Sequence, residues 1–296
     1  MPNTITNYLR RFFLQRNMVN RLIAVNVAVF LIISLFNFGS FVTNYAYPKS
    51  WLTNELGLPA SWHSLLFHPW SIITYAFTHE AFLHILFNML WLYWLGNIFS
   101  DFLGNKRLLP VYLMGSVAGG VLYVLAYNLL PVFRPEVNSA ICIGASAGVL
   151  AIVIAAATQV PDYTVYLMFI GPVKLKWIAL ITISLDVISI PSENAGGHIA
   201  HLGGALFGFA FVKQVQNGND WTAPLNRFFD WVTVLFQKIP GMRVSYSFPD
   251  KKQKRTEKVK DKKQEHIDAI LDKIAKEGYE NLTREEKDFL FNASKE

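Results

Sequence analysis

A serine and two groups of histidines stand where their chemistry could be combined. Ser146 lies in the run Gly-Ala-Ser-Ala-Gly, and His201 follows in Gly-Gly-His-Ile-Ala-His-Leu-Gly-Gly. A serine next to a histidine makes a nucleophile with its general base. His84 and Asn88 share one face of a predicted helix and offer donors for an oxyanion, as does the free backbone N–H at a helix start near Ser146. The set predicts acyl-transfer chemistry.

Each feature alone has a plainer explanation. A small-residue run such as 144–148 is typical of a helix-packing seam, and a lone buried histidine is typical of a satisfied core residue or a proton relay. His84 and His201 could also be metal ligands. No third cysteine, histidine or carboxylate sits at suitable spacing on their helices, however, so we predict neither a metal site nor a cofactor. The combination favours catalysis.

The elements that must position these residues are apolar runs, and a bilayer span needs about 20 residues. Hydrophobic residues make up 52% of the 296 positions and charged residues only 16%, which indicates a membrane protein with a soluble portion. The sequence predicts six spans, at residues 20–38, 81–100, 108–130, 147–160, 177–190 and 199–215. The fourth and fifth are short as drawn.

Basic residues predict how the spans are oriented, because they favour the cytoplasmic side. Four arginines stand before or at the start of the first span: Arg10, Arg11, Arg16 and Arg21. This predicts a cytoplasmic N-terminus, and six crossings return the C-terminal tail to the same side. Spans two, four and six then run in one direction, so their polar residues should gather at one depth below the outer surface.

Small residues also indicate close helix packing. Small-xxx-small pairs on spans four and six are formed by Gly144, Gly148, Gly204 and Gly208. We expect these pairs to let the two backbones approach closely. A hydrogen bond between Ser146 and His201 would require that approach.

At these residues the chain resembles the rhomboid family of intramembrane serine proteases, over about residues 20–215. The family's GxSxG-type element appears at 144–148, and its AHxxGxxxG element begins at Ala200. Its HxxxN element runs from His84 to Asn88, with His79 at the family's outer histidine position. The resemblance implies an all-α polytopic membrane protein: a rhomboid-like bundle of six transmembrane helices with a small helical cytosolic tail.

The resemblance also implies a mechanism. Ser146 would attack a peptide bond of a single-span transmembrane protein in the lipid bilayer, with His201 as base and then acid and without an acidic third member. His84, Asn88 and the Ser146 N–H would hold the oxyanion, His79 is a candidate for a role at the outer end, and the fifth span would act as a substrate gate.

Other residues and other functions are compatible with parts of the same sequence. Asp186 and Glu193 could mimic a triad acid, but nothing in the spacing aims Asp186 at His201, and His198 is expected at the water-exposed end of its helix. An inactive rhomboid-like protein that binds or dislocates membrane proteins stays open, although such proteins generally lack the serine or the histidine. A transporter is the other alternative, but it would carry polar residues along the full bilayer depth.

Behind the last span the composition changes. From Gln214 onward the chain holds 16 of its 27 Lys/Arg and 14 of its 21 Asp/Glu. We predict a cytosolic N-terminal segment (1–19), a membrane protease domain (20–215), an interfacial and basic linker (216–263) and a small helical module (264–296). In that module, Gly278 should end one helix, and Thr283 with Glu286 should form a capping box for the next.

Partners and location follow from the same features. The basic residues lie beside apolar runs or among acids, so we predict no nucleic-acid binding. We predict a multi-pass protein of the cell membrane with both termini cytoplasmic. The sequence makes no prediction of oligomeric state.

Overall fold

Apolar runs become helices in the larger part of the chain. The computed structural model describes residues 17–43, 51–167, 170–191, 194–236 and 251–293. The chain divides into two units, Met1–Phe236 and Gln237–Glu296. In chain order, the helices described in the first unit are α1 (Met18–Thr43), α2 (Trp51–Leu56), α3 (Trp62–Phe67), α4 (Ser71–Thr74), α5 (Phe82–Leu103), α6 (Asn105–Leu129), α7 (Ser146–Gln159), α8 (Leu175–Ser189), α9 (Ala195–Gln216) and α10 (Ala223–Phe236).

Short strands and turns connect these helices. Strand β1 (Leu58–Pro59) pairs antiparallel with β2 (Ile141–Cys142), in a register that places Leu58 opposite Cys142. Strands β3 (Thr164–Leu167) and β4 (Gly171–Lys174) form a second antiparallel pair just before α8. Two 3-10 turns span Tyr75–Phe77 and Pro131–Glu136.

Four of the described helices are long and apolar enough to cross a membrane: α1, α5, α6 and α9. The helices α7 and α8 have 14 and 15 residues and are about 21 and 23 Å long, less than the roughly 30 Å of a bilayer core. A helix therefore stands at each of the six predicted spans. The count of six crossings and the side on which the tail lies stay predictions.

Helix α7 forms the centre of the first unit. Every residue from Ala147 to Ala157 is buried, as expected for a helix that is apolar on all sides. It packs against α5, α6, α8 and α9. Helix α8 is much less buried than α7, because its only buried residues are Leu175, Ala179 and Asp186. The serine thus stands on the best-enclosed helix, next to a peripheral one.

Glycines bring α9 directly onto α7, and they are the predicted pair on α9, Gly204 and Gly208. A Cβ on Gly204 would overlap the carbonyl of Ala147, and one on Gly208 would overlap that of Ala151. Gly148 instead faces α6, since its Cβ would lie 2.7 Å from Tyr112 O, and Gly144 precedes α7. The predicted close approach of the two backbones is therefore found at Gly204 and Gly208, whereas the nearest neighbours of Gly144 and Gly148 lie outside α9. One residue turns a helix by about 100°, so alanines and glycines on α7 face different neighbours.

The α7–α9 contact predicts a large difference between two glycine substitutions. Gly204→Ala should destabilise the protein by about 1–3 kcal/mol, because the new methyl group meets a backbone carbonyl that cannot rotate away. Gly39→Ala on α1 is the matched control, since nothing lies within 4 Å of a Cβ there. Thermal unfolding in detergent measures both. Equal midpoints for the two variants would contradict the close packing.

In the second unit the described residues form two α-helices, α11 (Lys251–Glu277) and α12 (Arg284–Ala293), with a 3-10 turn at Tyr279–Asn281 between them. The capping box is confirmed, because Glu286 Oε2 accepts from the Thr283 N–H at 2.8 Å and Thr283 Oγ1 accepts from the Glu286 N–H at 3.3 Å. Gly278 follows α11 with a φ of 86°. The basic part of the predicted linker, from Lys251 onward, is helical, because lysine, arginine, glutamine and glutamate favour helices. The predicted domain boundaries stay predictions.

Candidate functional site

Ser146 and His201 meet across the α7–α9 contact. Ser146 is the first residue of α7, and His201 lies in the second turn of α9. The Ser146 Oγ and His201 Nε2 atoms are 2.6 Å apart. The glycine contacts at Gly204 and Gly208 allow this distance, because they hold the two helix backbones together one and two turns further along α9. The fold therefore brings the two sequence-predicted residues within hydrogen-bond distance.

The other ring nitrogen of His201 has a carboxylate partner. His201 Nδ1–H donates to Asp186 Oδ1 on α8 at 2.8 Å. An ionised carboxylate can only accept hydrogen bonds, so the proton is on Nδ1 and Nε2 is left to accept from the Ser146 hydroxyl. Serine, imidazole and carboxylate thus form a continuous chain of hydrogen bonds. This is the arrangement in which a histidine can take a proton from serine.

The prediction that nothing aims Asp186 at His201 is therefore wrong. Spacing along the chain does not report contacts between side chains on different helices. A usable signal was present, because an ionisable residue within a predicted span faces a protein partner more often than lipid. Asp186 is only 5% exposed, which is typical of a carboxylate that serves a site. The other carboxylate considered, Glu193, lies outside the described residues.

His198 shares the same carboxylate oxygen. Its Nδ1–H donates to Asp186 Oδ1 at 2.8 Å, so it is not merely a residue at an exposed helix end. The donor atoms of Asp186, His198 and His201 all lie within 4.8 Å of one another. Two further possible ligands thus accompany His201, contrary to the prediction from spacing. These are ligand types that zinc accepts, and a helix face with His at i and i+3 beside a carboxylate on a neighbour supplies three of them.

A cavity of about 540 Å³ opens beside the serine. Apolar side chains line most of it, together with His84, Asn88, Ser146, Asp186 and His201. One amide N–H of Asn88 is engaged, since Nδ2 donates to His84 O at 2.9 Å, and the second is available for another acceptor. The sequence-predicted donors and the serine therefore share one chamber. Their assignment to an oxyanion stays a prediction.

Gly144 makes room for His84 at the wall of this cavity. A Cβ on Gly144 would lie 2.8 Å from His84 Nε2, and the backbone there has a φ of 125°. A side chain at this position would be both strained and in collision with the ring. The role of Gly144 is therefore to admit the imidazole and to turn the chain into α7.

His79 braces the turn that presents the serine. It is fully buried, Nε2 accepts from the Ala145 N–H at 3.3 Å, and its Nδ1–H donates to Phe77 O at 3.4 Å. Its ring stands edge-on to that of His84, with centroids 5.1 Å apart. The neighbouring Gly144 N–H donates to Tyr75 O at 2.9 Å. The Ser146 N–H is thereby left as the first donor at the helix start.

The buried His79 leads us to expect that the folded protein loses stability in mild acid. Burial, together with the adjacent His84, lowers its pKa to about 4, against about 6.5 in an unfolded chain. Because folding disfavours the protonated ring, this stability is complete above about pH 6.5 and is lost as the pH falls toward 4. In His79→Gln the side-chain oxygen can still accept from Ala145, but it does not titrate. We expect a smaller fall of the unfolding temperature between about pH 7 and 4, and an unchanged fall would contradict the assignment.

Sequence comparisons identify related proteins. The Rhomboid domain family matches residues 66–215, which includes every site residue described above. A family of unknown function, DUF6576, matches residues 252–296. The first match covers half of the chain, and the second covers most of the α11–α12 unit.

Individual relatives are more distant. "RHOMBOID-like protein 12, mitochondrial" of Arabidopsis thaliana is 30% identical over 157 residues, covering 50% of this chain and 47% of that protein. "Rhomboid protein 1, mitochondrial" of Saccharomyces cerevisiae is 25% identical, covering 66% and 52%. "Rhomboid protease GlpG" of Pectobacterium atrosepticum is 28% identical, covering 32% and 30%. The chain thus spans about half the length of these relatives, or less.

Proposed function

The chain belongs to the rhomboid family, and from that premise we propose that it is an intramembrane serine endopeptidase. Ser146 is the nucleophile and His201 the general base. The observation that supports this most directly is the 2.6 Å distance between Ser146 Oγ and His201 Nε2, with Asp186 on the far nitrogen. An inactive binding protein has no need of this alignment, which depends on three helices.

The proposed reaction follows from these contacts. Ser146 Oγ bonds to the carbonyl carbon of the peptide while its proton moves to His201 Nε2, and Asp186 stabilises the imidazolium that forms. The proton then passes to the leaving amine as the C–N bond breaks, giving an acyl-enzyme. Water, activated by His201, hydrolyses that ester and restores the serine. The Ser146 N–H, with His84 and Asn88, holds the negative oxygen in both steps.

The substrates we propose are single-span transmembrane proteins. Four long apolar helices and the family make this a membrane protein, and the cavity beside Ser146 is walled mainly by apolar side chains. An apolar chamber suits a segment that arrives from lipid. Two relatives carry the word mitochondrial in their names and a third is bacterial, so the relatives do not point to one kind of membrane. We propose the cell membrane, with both termini cytoplasmic.

A fluorophosphonate probe tests the proposal directly. The full chain, purified in detergent, is treated with the probe and the adduct is located by mass spectrometry. We expect one modified serine, Ser146, in the folded protein and none after heat denaturation. A folded protein without an adduct would contradict the proposal and favour the alternative of an inactive rhomboid-like binding protein.

A further inference from the structure

We propose that Asp186, His198 and His201 form a binding site for a divalent transition-metal ion such as Zn²⁺, and that the bound ion switches off the serine. The inhibitory part rests on the proposed function, whereas the binding itself does not. The bound ion would regulate the proposed protease, because it would replace the hydrogen bond from Asp186 that orients the base His201.

The donor set fits such an ion. Two imidazole nitrogens and a carboxylate oxygen are three ligands that zinc accepts, and water can complete a tetrahedron. Each Nδ1 is already 2.8 Å from Asp186 Oδ1, and the largest separation within the group is 4.8 Å. Ligands at 2.0–2.1 Å from one tetrahedral ion are about 3.3 Å apart, so the two shorter separations must widen by about 0.5 Å while the largest shortens by up to roughly 1.5 Å. Side-chain rotation of two histidines one helical turn apart can supply this.

The buried carboxylate provides a second, independent reason for a cation. Asp186 is 5% exposed, and its Oδ2 atom has no hydrogen-bond partner among the described residues. Its Oδ1 atom accepts hydrogen bonds from both His198 and His201. The bond from His198 is not needed to orient His201. A buried carboxylate with one bare oxygen is costly unless a positive charge approaches it. The His198 and His201 side chains are each 22% exposed, so an ion can reach the group from solvent.

Binding would change the tautomer of the catalytic base. The free His201 carries its proton on Nδ1 and accepts from Ser146 at Nε2. When the metal takes the Nδ1 lone pair, the proton moves to Nε2, and His198 undergoes the same exchange. No proton is released and nothing is oxidised. Nε2 is then a donor and cannot take the serine proton, so the metal-bound form lacks a general base.

Metal binding is tested first without any activity. The full-length Ser146→Ala variant is titrated with Co²⁺, whose visible absorption reports tetrahedral ligation, and with Zn²⁺ by calorimetry. We expect binding near one ion per chain, and a loss of at least about tenfold in affinity on adding His198→Gln, because even a supporting residue costs 10–100-fold. His68→Gln is the matched control, since His68 also lies close to a carboxylate, 3.5 Å from Glu55. No binding, or equal binding with and without His198, would overturn the proposal.

Inhibition is tested on the protein with Ser146 intact. Fluorophosphonate labelling should fall with Zn²⁺, recover with a chelator and be indifferent to Mg²⁺, which prefers oxygen ligands. Measured against its own metal-free labelling, His198→Gln should need at least about tenfold more Zn²⁺ for the same inhibition. Binding without inhibition would overturn the switch. If the wild type is never labelled, the proposed function fails, while the Ser146→Ala titrations still decide whether the site exists.

Discussion

Ser146→Ala and His201→Ala are each expected to reduce kcat/KM for a single-span substrate by about 10⁴-fold or more, and the double variant no further. The two side chains act as one unit, because the hydroxyl attacks only when the imidazole accepts its proton. Once either is removed, the other has nothing left to contribute, and residual activity of this order comes from oxyanion donors and binding alone. Cleavage of a purified substrate in reconstituted vesicles measures the losses.

The matched control for this series is Ser116→Ala. Ser116 is a buried serine on α6, and its hydroxyl donates to Tyr112 O at 2.8 Å instead of to a histidine. Its removal should leave cleavage within a few fold of wild type, as expected for a neutral hydrogen bond away from the reaction. A double variant that is much worse than either single variant would show that Ser146 and His201 act independently.

Asp186→Asn is expected to reduce kcat by about 10²–10⁴-fold with little change in KM, although the side chains have nearly the same shape. An amide can donate to His201 Nδ1 and so favours the tautomer with the proton on Nε2, which is the wrong one for accepting from serine. The negative charge that stabilises the imidazolium is also lost. A dyad without a third member, as the family resemblance implied, predicts almost no effect.

The division of the effect between kcat and KM separates this role from a merely structural one. Because Asp186 acts through the base His201, we expect its loss to appear in kcat. A packing defect that deforms the cavity would change KM as well. Asp162→Asn serves as control, because Asp162 is an exposed acid that pairs with Lys174 and Lys176. If Asp186→Asn and Asp162→Asn had equal kcat values, the mechanism would be that of a Ser146–His201 dyad without an assisting carboxylate.

The features predicted correctly from the sequence are those set by local signals along the chain. The apolar runs gave a helix at each predicted span, and the pair Thr283 and Glu286 formed its capping box, because both signals are local. Ser146 and His201 were brought together by topology, since helices that run in one direction start at one level. These inferences needed only the length and direction of each element.

What the sequence missed depends on how helices are rotated against one another. Asp186 is 15 residues from His201, and only the azimuth of α8 against α9 brings them together. The same kind of information decided that Ala147, and not Gly148, lies against Gly204. A single sequence specifies which helices exist but not which face of each meets which neighbour. The contact of Asp186 with His201 and the packing partners of the glycines therefore could not be predicted from residue spacing.

The location of Asp186 on the peripheral helix has a consequence for the order of events in a catalytic cycle. The family resemblance implies that this helix, α8, acts as the substrate gate, and only three of its residues are buried. Any outward movement of α8 also withdraws the carboxylate from His201. If α8 is the gate, admission of a substrate and full activation of the base therefore cannot occur at the same time. We then expect a substrate segment that enters only briefly to meet a serine whose base lacks its carboxylate, and cleavage to follow only after α8 has returned to His201.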